Sequence, residues 1–211
     1  MDVMKILMDN YDYNEPIILK DVKIDGVSYE NIRQIFSRLV KSGKLERYEQ
    51  GVYYIPKVTP FGKSKIAAKK IYERKFITDG KNIYGFYSGL MLLNAIGLTT
   101  QVPNTIEIIT NKESSRRREI LVGNQRLRLR RARIVITSGN ANILQLLELI
   151  NTLDTSKLSD NQKRILINYI RSQSVKLNDI LPYINYYPNK VSKKLMERLV
   201  INELTSWLWT I

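Results

Sequence analysis

The chain has 211 residues, 44% of them hydrophobic and 26% charged, and a formal net charge of +14 at pH 7. That composition belongs to a globular protein rather than a disordered one, and no apolar run approaches the roughly 18–20 residues a membrane span needs. Cysteine and histidine are both absent, which excludes disulfides, thiolate or imidazole metal sites, and nucleophile–base pairs built on either side chain.

The N-terminus, MDVMKILMDN, carries acids and no signal-peptide pattern, so a cytoplasmic location is expected. Its spacing predicts a short amphipathic helix over residues 2–8, and residues 19–24 form a second candidate, closed by Gly26. The stretch SYENIRQIFSRLVKSGKLERYEQGVYYIP (28–56) is the most informative. Ile32, Ile35, Phe36, Leu39 and Val40 fall on one helical stripe. Ser28 stands where an N-cap belongs, and Gly43 where a helix end wants a left-handed residue. Opposite the stripe lie Glu30, Gln34, Ser37, Arg38 and Lys41, with Asn31 and Arg33 flanking.

Next come two β-rich runs, 45–48 and 52–55, around Glu49, Gln50 and Gly51, a hairpin signal. Helix, short helix, longer helix, hairpin is the order of a winged helix-turn-helix, assigned to residues 1–57. In that fold the third helix enters the major groove of double-stranded DNA. Gln34, Arg38 and Lys41 would then read bases, supported by Asn31, Arg33 and Ser37, while Arg47 and Gln50 of the wing touch backbone. The same architecture also serves as a protein-contact module. Residues 1–57 hold nine basic and nine acidic side chains, which keeps that alternative open.

Residues 58–80 predict a basic connecting helix from Ser64 to Arg74, with Ala67, Ala68, Ile71 and Tyr72 as its apolar seam. Residues 81–211 form the second domain. Ser88 is positioned to cap a helix that Gly97 ends, and residues 105–110 make a β-branched strand. In REILVGNQRLRLRRARIVIT (118–137), Gly123 and Asn124 separate two alternating runs, a second hairpin. Its returning strand carries Arg126, Arg128, Arg130, Arg131 and Arg133. The alternation slips after Arg130, so a β-bulge near Arg130 and Arg131 is expected to turn all five arginines outward as one stripe. Residues 81–140 hold ten basic side chains against three acidic ones. Single-sign density of this kind favours a polyanion, and arginine suits bidentate phosphate contact. An acidic protein partner, or RNA, remains an alternative for the stripe. Helices follow over 140–153, 159–173 and 189–211, with Pro182 and Pro188 as breaks, and WLWT near the C-terminus suggests burial or dimerisation.

The YSG at 87–89, Asn94 and the run GLTTQVP at 97–103 resemble the AbiEi family of antitoxins from type IV toxin–antitoxin, or abortive-infection, systems. GVYYIP (51–56), TPFGK (59–63), Gly123 and the RLR segment stand in the order that family shows, and the resemblance covers about residues 15–155. It implies a winged helix that binds and represses its own operon's promoter, followed by a domain needed for antitoxin activity. It further implies a functional rather than stable physical partnership with a nucleotidyltransferase-like toxin. A homodimer is expected where the operator is an inverted repeat.

The fold class expected from all this is α+β: an N-terminal winged helix-turn-helix, then a mixed α/β antitoxin domain with a basic hairpin and C-terminal helices. The scattered carboxylates show no metal-site pairing, and no glycine pattern matches a phosphate loop. No enzymatic activity, metal or cofactor is expected.

Overall fold

The computed structural model describes residues 2–154 and 157–195. It is a mixed α+β protein in two compact units, Met1–Lys75 and Phe76–Ile211.

The first unit opens with α1 (Val3–Asn10), whose N-cap Asp2 accepts from the Met4 and Lys5 amides. Strand β1 (Ile17–Ile18) follows, then a single 3-10 turn at Leu19–Asp21. The helix expected over 19–24 is therefore one turn only. Val22 and Ile24 are buried while Lys23 between them is exposed, a period of two that an extended chain satisfies and a helix cannot. Helix α2 spans Tyr29–Lys41; the Ser28 hydroxyl accepts from the Asn31 amide at 3.3 Å. At its end Gly43 takes φ +72°, a conformation that strains any residue with a Cβ.

Strands β2 (Glu46–Glu49) and β3 (Val52–Tyr54) form the expected hairpin. Its connection is the two residues Gln50 and Gly51, shorter than the three anticipated. The register slips between Arg47 and Glu49, leaving Tyr48 as an extra residue in β2. With β1 these strands make an antiparallel sheet ordered β1-β3-β2. Leu7, Ile17, Ile32, Phe36 and Leu45 are almost wholly buried in one cluster, and Phe36 meets the edge of Tyr53 with ring centroids 5.0 Å apart. Two further short strands, β4 (Val58–Thr59) and β5 (Gly62–Lys63), precede the expected connecting helix. Helix α3 begins at Ala68 rather than at Ser64 and runs to Phe76, and the unit boundary falls in its last turn.

The second unit contains β6 (Gly85–Ser88), α4 (Gly89–Ala95), β7 (Thr105–Thr110), β8 (Arg118–Val122) and β9 (Gln125–Arg131). Its sheet is ordered β6-β7-β9-β8. Strand β9 lies parallel to β7 on one side and antiparallel to β8 on the other. Gly123 alone of the two turn residues has positive φ, +58°, as a hairpin turn with glycine first requires. Ser88 holds the N-cap position of α4, but its side chain makes no capping bond; its hydroxyl is buried without a partner among the described residues.

Helix α5 (Ala141–Thr152) was expected to be amphipathic, yet eight of its twelve residues are buried. It packs with β6 residue Phe86 and β7 residue Ile109, and with α6 (Asp160–Ser172), α7 (Leu177–Ile184) and α8 (Asn189–Leu195), in a single hydrophobic cluster. Ser159 and Gln162 form a reciprocal capping box on α6. Pro182 does not break the chain as anticipated but sits inside α7. There it forfeits one backbone hydrogen bond. The part of the expected last helix beyond Leu195, including WLWT and its burial or dimerisation, lies outside the described residues.

Candidate nucleic-acid interface

Helix α2 buries Ile32 and Phe36 and turns every polar residue singled out in the sequence to solvent: Asn31, Arg33, Gln34, Ser37, Arg38 and Lys41 are all exposed. Among the described residues a carboxylate engages only Arg33 of these, Glu30 at 3.0 Å on the same surface. Such an exposed pair contributes little and opens readily for a better anion. Arg47 and Gln50 of the hairpin are exposed as well.

Together with Arg33, those two residues line a groove of about 970 Å³ between the start of α2 and the hairpin. Lys20 and Lys75 line it too, and Glu49 holds Lys75 at 2.6 Å. Neither lysine was a sequence candidate. They lie outside the helix and hairpin that carry the motif, and only folding brings them to its edge. Asn31, Gln34, Ser37, Arg38 and Lys41 form an exposed ridge beside the groove rather than lining it.

The arginine strand differs from expectation. No bulge occurs: β9 stays in unbroken register with β7 from Arg126 to Arg131, and the strand simply ends there. Arg126, Arg128 and Arg130 share a face opposite the fully buried Leu127 and Leu129, but they do not share a role. Arg128 lies directly beside Glu107 on β7 and Glu119 on β8, so three adjacent strands present acid, base and acid in one row. Its guanidinium reaches Glu107 at 2.6 Å and Glu119 at 2.9 Å. Hydrogen bonds to Glu107, then Glu119, raise its pKa further, and the Arg128 bond in turn lowers that of Glu119. Arg130 points to α5 and meets Glu148, a side chain only 2% exposed, at 2.5 Å. These two arginines are internal counter-ions rather than an outward stripe. The alternation of the sequence puts them on one face correctly; it cannot reveal acids contributed by β7, β8 and α5.

Arg126 and Arg131 are exposed and form no ion pair with a described residue. Arg133 is exposed too; its guanidinium lies 5.2 Å from the centroid of the Tyr187 ring and donates to the Tyr186 carbonyl at 3.5 Å. Burial raises the Tyr187 hydroxyl well above its ordinary pKa. Arg118, on the opposite face of the sheet from Arg128, is bound at 2.8 Å by the buried Glu113.

Among the described residues, no group of three carboxylates is placed to hold a metal ion, and no helix is long and apolar enough to cross a membrane. A model of a family of unknown function, DUF6088, matches residues 12–178. No curated protein matches the chain.

Proposed function

The chain belongs to that family, DUF6088, and from its residues we propose that it is a sequence-specific binder of double-stranded DNA: a winged helix-turn-helix repressor of its own promoter that serves as the antitoxin of a type IV toxin–antitoxin pair. One observation carries the DNA-binding step. The whole polar face of α2 is exposed, with Gln34 and Arg38 free of any described carboxylate and able to meet base edges. The 3-10 turn replaces the second helix of the motif, and the β2–β3 hairpin is its wing. Lys41, Lys44 and Arg47 are exposed around the ridge and suit phosphates. The antitoxin role rests on the AbiEi resemblance of residues 87–103 and on nothing in the geometry.

With about four phosphates engaged by Arg33, Lys41, Lys44 and Arg47, log K falls with log salt at a slope of about −3.6. The test is a gel shift on the chain's own upstream region, repeated with Arg38→Ala. Tight wild-type binding and a variant that no longer distinguishes promoter from random duplex are expected. Equal affinity of the wild type for both duplexes would overturn the proposal.

A second function, direct capture of a toxin, is favoured by one feature: Phe61, between β4 and β5, is fully exposed beside an exposed Val58. A stoichiometric complex that survives high salt would support it over promoter binding.

A further inference from the structure

With Arg128 and Arg130 consumed by internal acids, the remaining arginines of the second unit have a destination of their own. A cavity of about 720 Å³ opens beside the end of β9, and Arg116, Arg117, Arg130, Arg131 and Arg133 all line it. Glu148 is the sole acid among its described lining residues, and Arg130 neutralises it. Arg117 meets the exposed Glu119 at 3.5 Å, so the guanidinium charges of Arg116, Arg131 and Arg133 are left without a described carboxylate around one half-open volume. Like charges gathered this way repel one another, and their wall includes Phe86, Ile109 and Leu144, whose low polarisability strengthens every charge interaction. A bound anion of charge about −3 is what such an arrangement lacks.

Two features give the cavity shape as well as charge. Glu148 clamps Arg130, and Arg133 lies over Tyr187, whose hydroxyl donates to the Leu144 carbonyl at 3.1 Å. These groups are held before any ligand arrives, which lowers the entropic cost of binding. Arg116 and Arg117 come instead from the segment between β7 and β8 and are exposed; Arg116 makes no described ion pair, and the exposed pair of Arg117 with Glu119 is weak enough to open for a better anion. The volume falls in the range of small-molecule sites, about 300–1,000 Å³, and exceeds what phosphate groups alone would fill. Arginine forks bind phosphate bidentately, and a guanidinium plane stacked on an aromatic ring offers a surface to a base.

We infer that this cavity binds a nucleoside di- or triphosphate, its phosphates among Arg116, Arg117 and Arg131 and its base beside the Arg133–Tyr187 pair. The site is independent of α2 and of promoter binding. Isothermal titration of the full chain with each of the four ribonucleoside triphosphates, with a nucleoside monophosphate and with inorganic tripolyphosphate tests it. Saturable 1:1 binding of at least one triphosphate is expected, about tenfold or more tighter than its monophosphate. Arg131→Ala and, separately, Arg116→Ala should each weaken it about tenfold. Arg126→Ala removes the same charge from the same sheet outside the cavity and should change it less than about twofold. Arg38→Ala, which disables the promoter step, should leave it equally unchanged. The inference falls if no triphosphate binds saturably up to about 1 mM, if tripolyphosphate binds as tightly as the best nucleotide, or if Arg126→Ala weakens binding as much as Arg131→Ala.

Discussion

Replacing Arg130 with alanine separates a structural arginine from a ligand-binding one. Glu148 is 2% exposed and its described ion-pair partner is Arg130, which is itself 27% exposed. Removing one member of a fully buried pair costs about 3–5 kcal/mol, because the other is left charged and unsolvated. The partial exposure of Arg130 admits some water, so about 2–4 kcal/mol is expected here. For a chain of this length that corresponds to a fall in Tm of roughly 4–16 °C. Urea unfolding followed by far-UV circular dichroism measures it. Arg126→Ala, an exposed residue without a described carboxylate, should stay within about 0.5 kcal/mol of wild type. The double variant Arg130→Met with Glu148→Leu removes both charges and keeps the volume. It should recover to within about 1 kcal/mol, a coupling well beyond additivity. Should Arg130→Ala prove no more costly than Arg126→Ala, the assignment of Arg130 as an internal counter-ion would be wrong.

Three further outcomes follow from single contacts. Ser28→Ala removes the α2 cap and should cost about 1 kcal/mol in the same urea assay, with Ser28→Asp close to wild type. Burial pushes the Glu113 carboxyl up, but the Ser115 amide and the Arg118 guanidinium more than offset it and leave its pKa lowered. Its contribution is therefore present above the ordinary glutamate value and lost as pH falls through the lowered one. Wild type should lose more stability than Arg118→Gln between about pH 5 and pH 3, and parallel pH profiles would refute this. Burial raises Tyr169 to about 12. The stability it contributes is complete below the ordinary tyrosine value of about 10 and declines as pH rises from there through the folded one. Tyr169→Phe should flatten the alkaline limb of unfolding above about pH 10, and an unchanged limb would exclude Tyr169 as its source.

Local patterns predicted local features well. The stripe of Ile32 and Phe36, the cap at Ser28, the left-handed Gly43, the strand at 105–110 and the turn at Gly123 all follow from rules that act within a few residues. Errors arose where neighbours distant in sequence decide the outcome. Residues 19–24 carry enough apolar side chains for a helix, but pairing of β1 with β3 commits that segment to an extended path with one 3-10 turn. The alternation slip at Arg130 and Arg131 suggests a bulge only if the strand continues, and it ends there. Helix α5 looks one-sided by its leucines alone, yet partners on several sides bury it almost completely.

The composition and order of residues determined that the protein folds as mixed α+β, that α2 has one oily face and one polar face, and that positive charge gathers in the second unit. Which arginines keep that charge available was decided only in three dimensions. A strand's neighbours come from elsewhere in the chain, so Glu107, Glu119 and Glu148 reach Arg128 and Arg130 through sheet register and helix packing. The same packing brings Arg116 and Arg117 to the cavity that Arg131 and Arg133 share. An electrostatic interaction depends on distance through space, and a linear pattern of residues does not contain that distance.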